Sequence, residues 1–162
     1  MPYSNDMLEG VLKKVRTIAM VGASPKWVRP SNFAMKYLQG KGYRVIPVNP
    51  GHAGKEINGE TVYASLSDSP DDFDMVNIFR KSEDVGPIME EAIELVDAKG
   101  ISVVWMQLGV FDATAASLGE DYGLTVIMNR CPKIEYARLY GELGWSGINT
   151  GIISSKRPKL RL

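Results

Sequence analysis

Five short apolar runs, each separated from the next by a helix-forming or loop stretch, constrain this chain more than any other feature. The runs are Thr17 to Gly22, Arg44 to Val48, Met75 to Phe79, Ile101 to Gln107 and Thr125 to Met128. They are rich in Val and Ile and mostly free of charge, the pattern of strands covered on both faces. Helical patterns alternate with them. Ser31 to Gly40 carries Phe33, Met35, Tyr37 and Leu38 as apolar positions. Asp84 to Ala98 places Ile88, Met89, Ala92, Leu95 and Val96 on one stripe, opens on acidic residues and closes at Lys99-Gly100. Asp112 to Tyr122 is a third helix, capped by Asp112, and a fourth follows Pro132. Such alternation predicts an α/β domain with a doubly wound parallel sheet and helices on both faces. Counting the runs along the chain, the strand order expected is 3-2-1-4-5. A chain of 162 residues suits one domain with a real core. That domain is expected over residues 1–153, with residues 154–162, SSKRPKLRL, as a loose basic tail. Residues 51–70 form an excursion with a short strand at Glu60 to Tyr63.

Composition narrows the function classes. No apolar run approaches the roughly 20 residues a bilayer span needs. The first residues, MPYSNDMLEGVLKKV, have no signal-peptide core. One cysteine permits no internal disulfide and no multi-cysteine zinc site. A cytoplasmic location is the expectation, with no membrane partner. Net charge is zero, yet residues 10 to 55 hold nine Lys and Arg and no Asp or Glu. The remainder holds ten basic and nineteen acidic residues. A cationic block inside a neutral chain points to an anionic ligand, or else to a solvated basic face. It falls on sheet elements, not on an aromatic-studded surface, so nucleic acid is not the expected partner.

The block contains residues 18–32, IAMVGASPKWVRPSN, in which the first strand runs into a turn at the crevice of the sheet. A dinucleotide site needs GxGxxG and an acid ending the second strand. Here only Gly22 fits that spacing, Ser24 takes the second glycine's place, and Pro47, Val48, Asn49 and Pro50 end the second strand without an acid. A carboxylate there would hold the ribose diol of NAD. Without one, and with Lys26 and Arg29 to meet phosphate oxygens, the turn suits a more anionic ligand. Ser24 and Ser31 offer hydroxyls, and Ser31 or Asn32 is expected to cap the following helix, whose N-terminus favours an anion. The alternative is a plain strand-to-helix turn.

In order along the chain, VGASPKWVRPSN, GYRVIPVNP, FDMVNIFR, VVWMQLGV and MNRCPKIEY resemble the motifs of the small bacterial and archaeal CoA-binding proteins. These are stand-alone relatives of the N-terminal domain of the succinyl-CoA synthetase α subunit. The resemblance covers roughly residues 10–140 and implies a Rossmann-like domain that binds coenzyme A. It implies that the ADP part of CoA sits on Gly22, Ala23 and Ser24, with Lys26, Arg29, Ser31 and Asn32 around the phosphates. Asn49 and Pro50 would border the adenosine side, and Phe79 and Arg80 the opposite wall. CoA carries a pyrophosphate and a 3′-phosphate, so it needs local cations more than a ribose-binding acid.

Other residues invite a role. His52, the chain's only histidine, lies in Gly51-His-Ala-Gly54, which resembles the phosphohistidine loop of succinyl-CoA synthetases, but that loop belongs to a second domain in the family. A surface-loop histidine is the expectation. Cys131 follows the fifth run beside Arg130; a mixed disulfide with the CoA thiol, or a CoA-thiol-dependent enzyme, stands against a buried structural cysteine. Trp105 and Met106 are expected in the core, and Gln107 either touches ligand or caps a neighbouring helix. Glu135 and Glu142, seven apart, are expected to face solvent. No Ser-His-Asp set, metal cluster or full Walker loop is identified, so no catalytic residue is assigned. The leading reading is a CoA or acyl-CoA binding module, against an NAD(P)-type oxidoreductase or redox sensor. A homo-oligomer and a protein partner both stay open.

Overall fold

The computed structural model describes residues 3–141. The elements are α1 (Asn5–Lys14), β1 (Thr17–Val21), α2 (Pro30–Gly40), β2 (Arg44–Val48), β3 (Glu56–Ile57), β4 (Glu60–Thr61), β5 (Met75–Ile78), α3 (Val85–Glu94), α4 (Val96–Lys99), β6 (Val103–Met106), α5 (Ala113–Asp121), β7 (Thr125–Ile127) and α6 (Pro132–Leu139). All five expected runs are strands of one parallel sheet, and β3 and β4 form a separate antiparallel pair. The helix expected over Asp84 to Ala98 breaks at Leu95 into α3 and α4 and ends at Gly100 in the left-handed conformation. The tail at 154–162, the boundary at 153 and Glu142 lie outside the described residues.

Alternation of side chains along each strand divides the core. Ile18, Met20, Met75, Val103 and Trp105 pack on one face under α1, α2 and α6. Ala19, Val21, Val76, Val104 and Met106 pack on the other under α3 and α5. Both faces are therefore buried, as the uninterrupted apolar runs required. Trp105 and Met106 are fully enclosed, as expected. Glu135 is not the solvent-facing group expected: it is buried and pairs with Arg138 at 2.6 Å.

The sheet order is β2-β1-β5-β6-β7. Counted as runs this is 2-1-3-4-5, which corrects the expected 3-2-1-4-5. The excursion after β2 explains it. Tyr63 bridges Val48 in parallel, donates its N–H to Pro47 O and accepts from Asn49 N. The outer edge of β2 is thereby occupied at its C-terminal end, and the third run pairs on the free side of β1 instead. The Rossmann-like doubly wound class stands, and the crevice falls between the C-terminal ends of β1 and β5, where the connections diverge.

The other end of that strand pair is held by one carboxylate. Asp74 accepts from the N–H groups of Arg16 and Thr17 at 3.0–3.2 Å, just before β1 begins. Removing it leaves those donors unpaired. Asp74→Ala is expected to lower the unfolding free energy by about 1–3 kcal/mol, read as a lower urea midpoint; an unchanged midpoint would show that water replaces the carboxylate at no cost.

Candidate anion-binding site at the sheet switch point

β1 carries its hydrogen bonds right up to the turn. Phe79 N donates to Val21 O, and Gly22 N to Val48 O, both at 2.8 Å. The backbones of β1 and β5 converge so closely that Gly22, at φ +88°, has no room for a side chain. A Cβ there would lie 2.3 Å from the Phe79 carbonyl oxygen. The glycine is thus required by the protein's own backbone.

Beyond Gly22 the turn is knitted from within. Ser31 Oγ accepts from Ser24 N at 3.1 Å, and Asn32 Nδ2 donates to Ser24 O at 3.0 Å. Ser24 Oγ in turn accepts from Lys26 N at 3.2 Å. The helix cap expected of Ser31 or Asn32 is therefore corrected. The N-cap position of α2 is Arg29, which makes no side-chain cap, and Pro30 follows it in the first turn. Proline suits that position because its missing N–H would have no partner there. The loop after β2 is tied to the same turn: Asn49 Nδ2 donates to Ala23 O at 2.9 Å and its Oδ1 accepts from Gly51 N at 3.0 Å.

Two depressions open on this framework. A groove of about 490 Å³ is lined by Gly22, Ser24, Lys26, Arg29, Pro30, Ser31, Asn49, His52, Phe79 and Arg80. Eight of the eleven residues singled out in the sequence thus come together. Ala23 and Asn32 lie buried beneath the groove, and Pro50 lines the second depression, of about 280 Å³, beside Val48, Ile88 and Glu91. Gly22 and Arg80 border both. Lys26, Arg29 and Arg80 give the groove its charge, and none of its lining residues is acidic. Arg80 also reaches Asp84 outside the groove at 3.3 Å.

The cationic block is not one patch. Lys41 is buried against the Tyr37 and Tyr136 rings, and Lys13 pairs with Glu9. Arg44 bonds Glu60 and Asp71, which hold its guanidinium above the ordinary arginine value, Glu60 most strongly. Arg80 comes from outside the block. His52, expected on a surface loop, is half-buried in the groove wall with Nδ1 enclosed and unpartnered. Cys131 is buried and does not line the groove.

The sequence model of the family described as "CoA binding domain" matches residues 16–137. The chain belongs to this CoA-binding family. "Uncharacterized protein YneT" of Bacillus subtilis is 35% identical over 130 residues, which is 80% of this chain and 92% of YneT. A solved structure described as a hypothetical protein from Pyrococcus horikoshii OT3 is 36% identical, with TM-score 0.78, over 85% of this chain and 92% of that one. The fold also recurs in the dinucleotide-forming acetyl-coenzyme A synthetase 1 of Ca. Korarchaeum cryptofilum. There the identity is 24% and the TM-score 0.59, over 78% of this chain and 28% of that one.

In this CoA-binding protein Gly22 tests whether the turn is built around its own backbone. Gly22→Ala forces a Cβ against the Phe79 carbonyl and holds alanine at positive φ. It should cost more than about 1 kcal/mol of stability and lower the thermal midpoint of the ligand-free protein. An unchanged midpoint would show that the two strand ends separate freely. Gly22→Val should be worse still, so a valine variant is no test of ligand binding alone.

Proposed function

We propose that this protein binds coenzyme A in the groove at the switch point, as a binding module without chemistry of its own. The observation that carries the reading is the groove's charge: Lys26, Arg29 and Arg80 converge where no lining residue is acidic. The N-terminus of α2 opens on the same groove, and backbone donors there favour an anion. The pyrophosphate would lie over Gly22 and Ser24, between Lys26 and Arg29 on one side and Arg80 on the other. Ser31, Asn32 and Ala23 would act from below, by holding the turn in shape. The 280 Å³ depression, with Val48, Pro50 and Ile88 as apolar walls, suits the adenine.

The fit to coenzyme A rests on the donor set. Asn49 stands where a dinucleotide site would carry an acid, and both ends of its amide are already used, on Ala23 O and Gly51 N. With a single acceptor atom, already engaged by Gly51 N, it cannot take both hydroxyls of a ribose diol as the two oxygens of a carboxylate would. What the site offers instead is cationic side chains, which match phosphates.

Arginine meets phosphate through charge-assisted, often paired hydrogen bonds. Arg29→Ala is therefore expected to weaken CoA binding by about 1–3 kcal/mol, measured by calorimetry. Raising the salt concentration should weaken the native protein's binding as well. Affinity unchanged in both measurements would remove Arg29 from the site.

A further inference from the structure

The 280 Å³ depression beside the groove differs from it in charge. Asp84, Pro87, Ile88 and Glu91 line it, and their spacing of three and four residues makes them one stripe along the start of α3. Val48, Pro50 and Ser65 line the same space from the β2 side. The two acids of the stripe are placed differently. Asp84, at the head of α3, pairs with Arg80 at 3.3 Å, where the depression meets the groove. Glu91 lies two turns further along the helix, about 10 Å by helix rise.

Glu91 is half-buried, and its Oε1 accepts from Leu66 N at 3.0 Å. Among the described residues no cation pairs with it, and its Oε2 has no hydrogen-bond partner. A carboxylate oxygen beside apolar walls is costly to leave without a donor. The brace on Leu66 does not require that second oxygen, because the amide oxygen of a glutamine would accept the same N–H. What the carboxylate adds is a second acceptor at the wall of the depression, and no donor.

We propose that Glu91 selects the base of the bound nucleotide, its Oε2 accepting a hydrogen bond from the 6-amino group of adenine. The proposal rests on the reading that CoA lies here, with its pyrophosphate over Gly22 and its adenine in this depression. The two helical turns between Asp84 and Glu91 are comparable with the length of an adenosine. A base whose phosphates sit beside Arg80 therefore reaches Glu91 with its far edge. Adenine carries an N–H donor at the 6 position, whereas guanine and hypoxanthine carry an oxygen. A carboxylate has no proton to give that oxygen, so it attracts the first base and repels the other two. A carboxylate that reads guanine uses both oxygens, on the ring N–H and the 2-amino group, and here Leu66 already holds one of them. The site is thus divided by charge: cations in the groove for phosphates, one carboxylate in the depression for an amino group.

Calorimetric titration of the full chain with CoA and with its deaminated form, in which hypoxanthine replaces adenine, tests this. The native protein should bind CoA more tightly by roughly ten- to a hundredfold, the range for a hydrogen bond to a charged group. Glu91→Gln should reverse the preference. Leu66 N keeps the amide oxygen, so the amide NH2 faces the base, donates to the oxygen of hypoxanthine and opposes the amino group of adenine. Glu91→Ala removes the acceptor and supplies no donor, so it should bring the two ligands level, and it serves where the glutamine variant fails to fold. A merely structural Glu91 would lower the thermal midpoint on substitution without reordering the ligands. Arg29→Ala should weaken both ligands by the same factor and leave their ratio unchanged. Equal native affinity for the two, or a ratio that neither Glu91 variant moves, would overturn the role of Glu91 and leave CoA binding in place. Failure of the native protein to bind either ligand would overturn both.

Discussion

The approach of two strand ends at Gly22 and Phe79 sets the geometry on which the rest of the site depends. Because β1 is bonded to β2 on one side and β5 on the other up to this point, the turn after Val21 leaves the sheet in a fixed direction. The positive φ of Gly22 then steers the chain clear of the Phe79 carbonyl. Everything that follows is held relative to that bend. Ser31 and Asn32 reach back from α2 to both backbone groups of Ser24, and Asn49 reaches across from β2 to Ala23. The turn is therefore braced by neutral hydrogen bonds from two directions, and the charged side chains of Lys26 and Arg29 take no part in that brace.

That division of labour explains the charge. Bringing cations together in the absence of an anion costs free energy, and the fold bears it where the framework is otherwise satisfied. Arg80 moderates the cost through its pairing with Asp84 in the ligand-free protein. In the proposed binding mode an incoming phosphate would have to compete only with that exposed carboxylate, a partner that holds Arg80 weakly. Two other basic residues of the early chain are occupied elsewhere, Arg44 by Glu60 and Asp71, Lys13 by Glu9. The charge run in the sequence overstated the patch, and the groove's potential comes from three side chains on two segments, the turn after β1 and the end of β5.

The fold class was legible because both faces of the sheet are buried, which leaves short Val- and Ile-rich runs set between amphipathic helical patterns. The strand order was not, because it turns on Tyr63 bridging Val48, a contact made by an irregular loop with no period to read. Helix α1 was missed although its signals are present: Ser4 caps it through Met7 N, Leu8 and Leu12 share its buried face, and Lys13 and Lys14 close it. Within the site, the cations and Gly22 were found by type and spacing. The roles of Ser31 and Asn32 were misjudged, since a hydroxyl near a helix start can cap the helix or brace the preceding turn. His52 was set aside as a loop residue because only the fold back of the β2 loop onto Ala23 brings it to the groove.

The central claim is that this groove selects its ligand by phosphate charge. Calorimetric titration of the native protein with CoA, dephospho-CoA and NAD tests it most directly, since the three share an adenylate and differ in the group at the ribose and in the second half. The account predicts that CoA binds most tightly, dephospho-CoA more weakly for want of the 3′-phosphate, and NAD poorly. Equal affinity for NAD and CoA would contradict it and return the site to the dinucleotide binders.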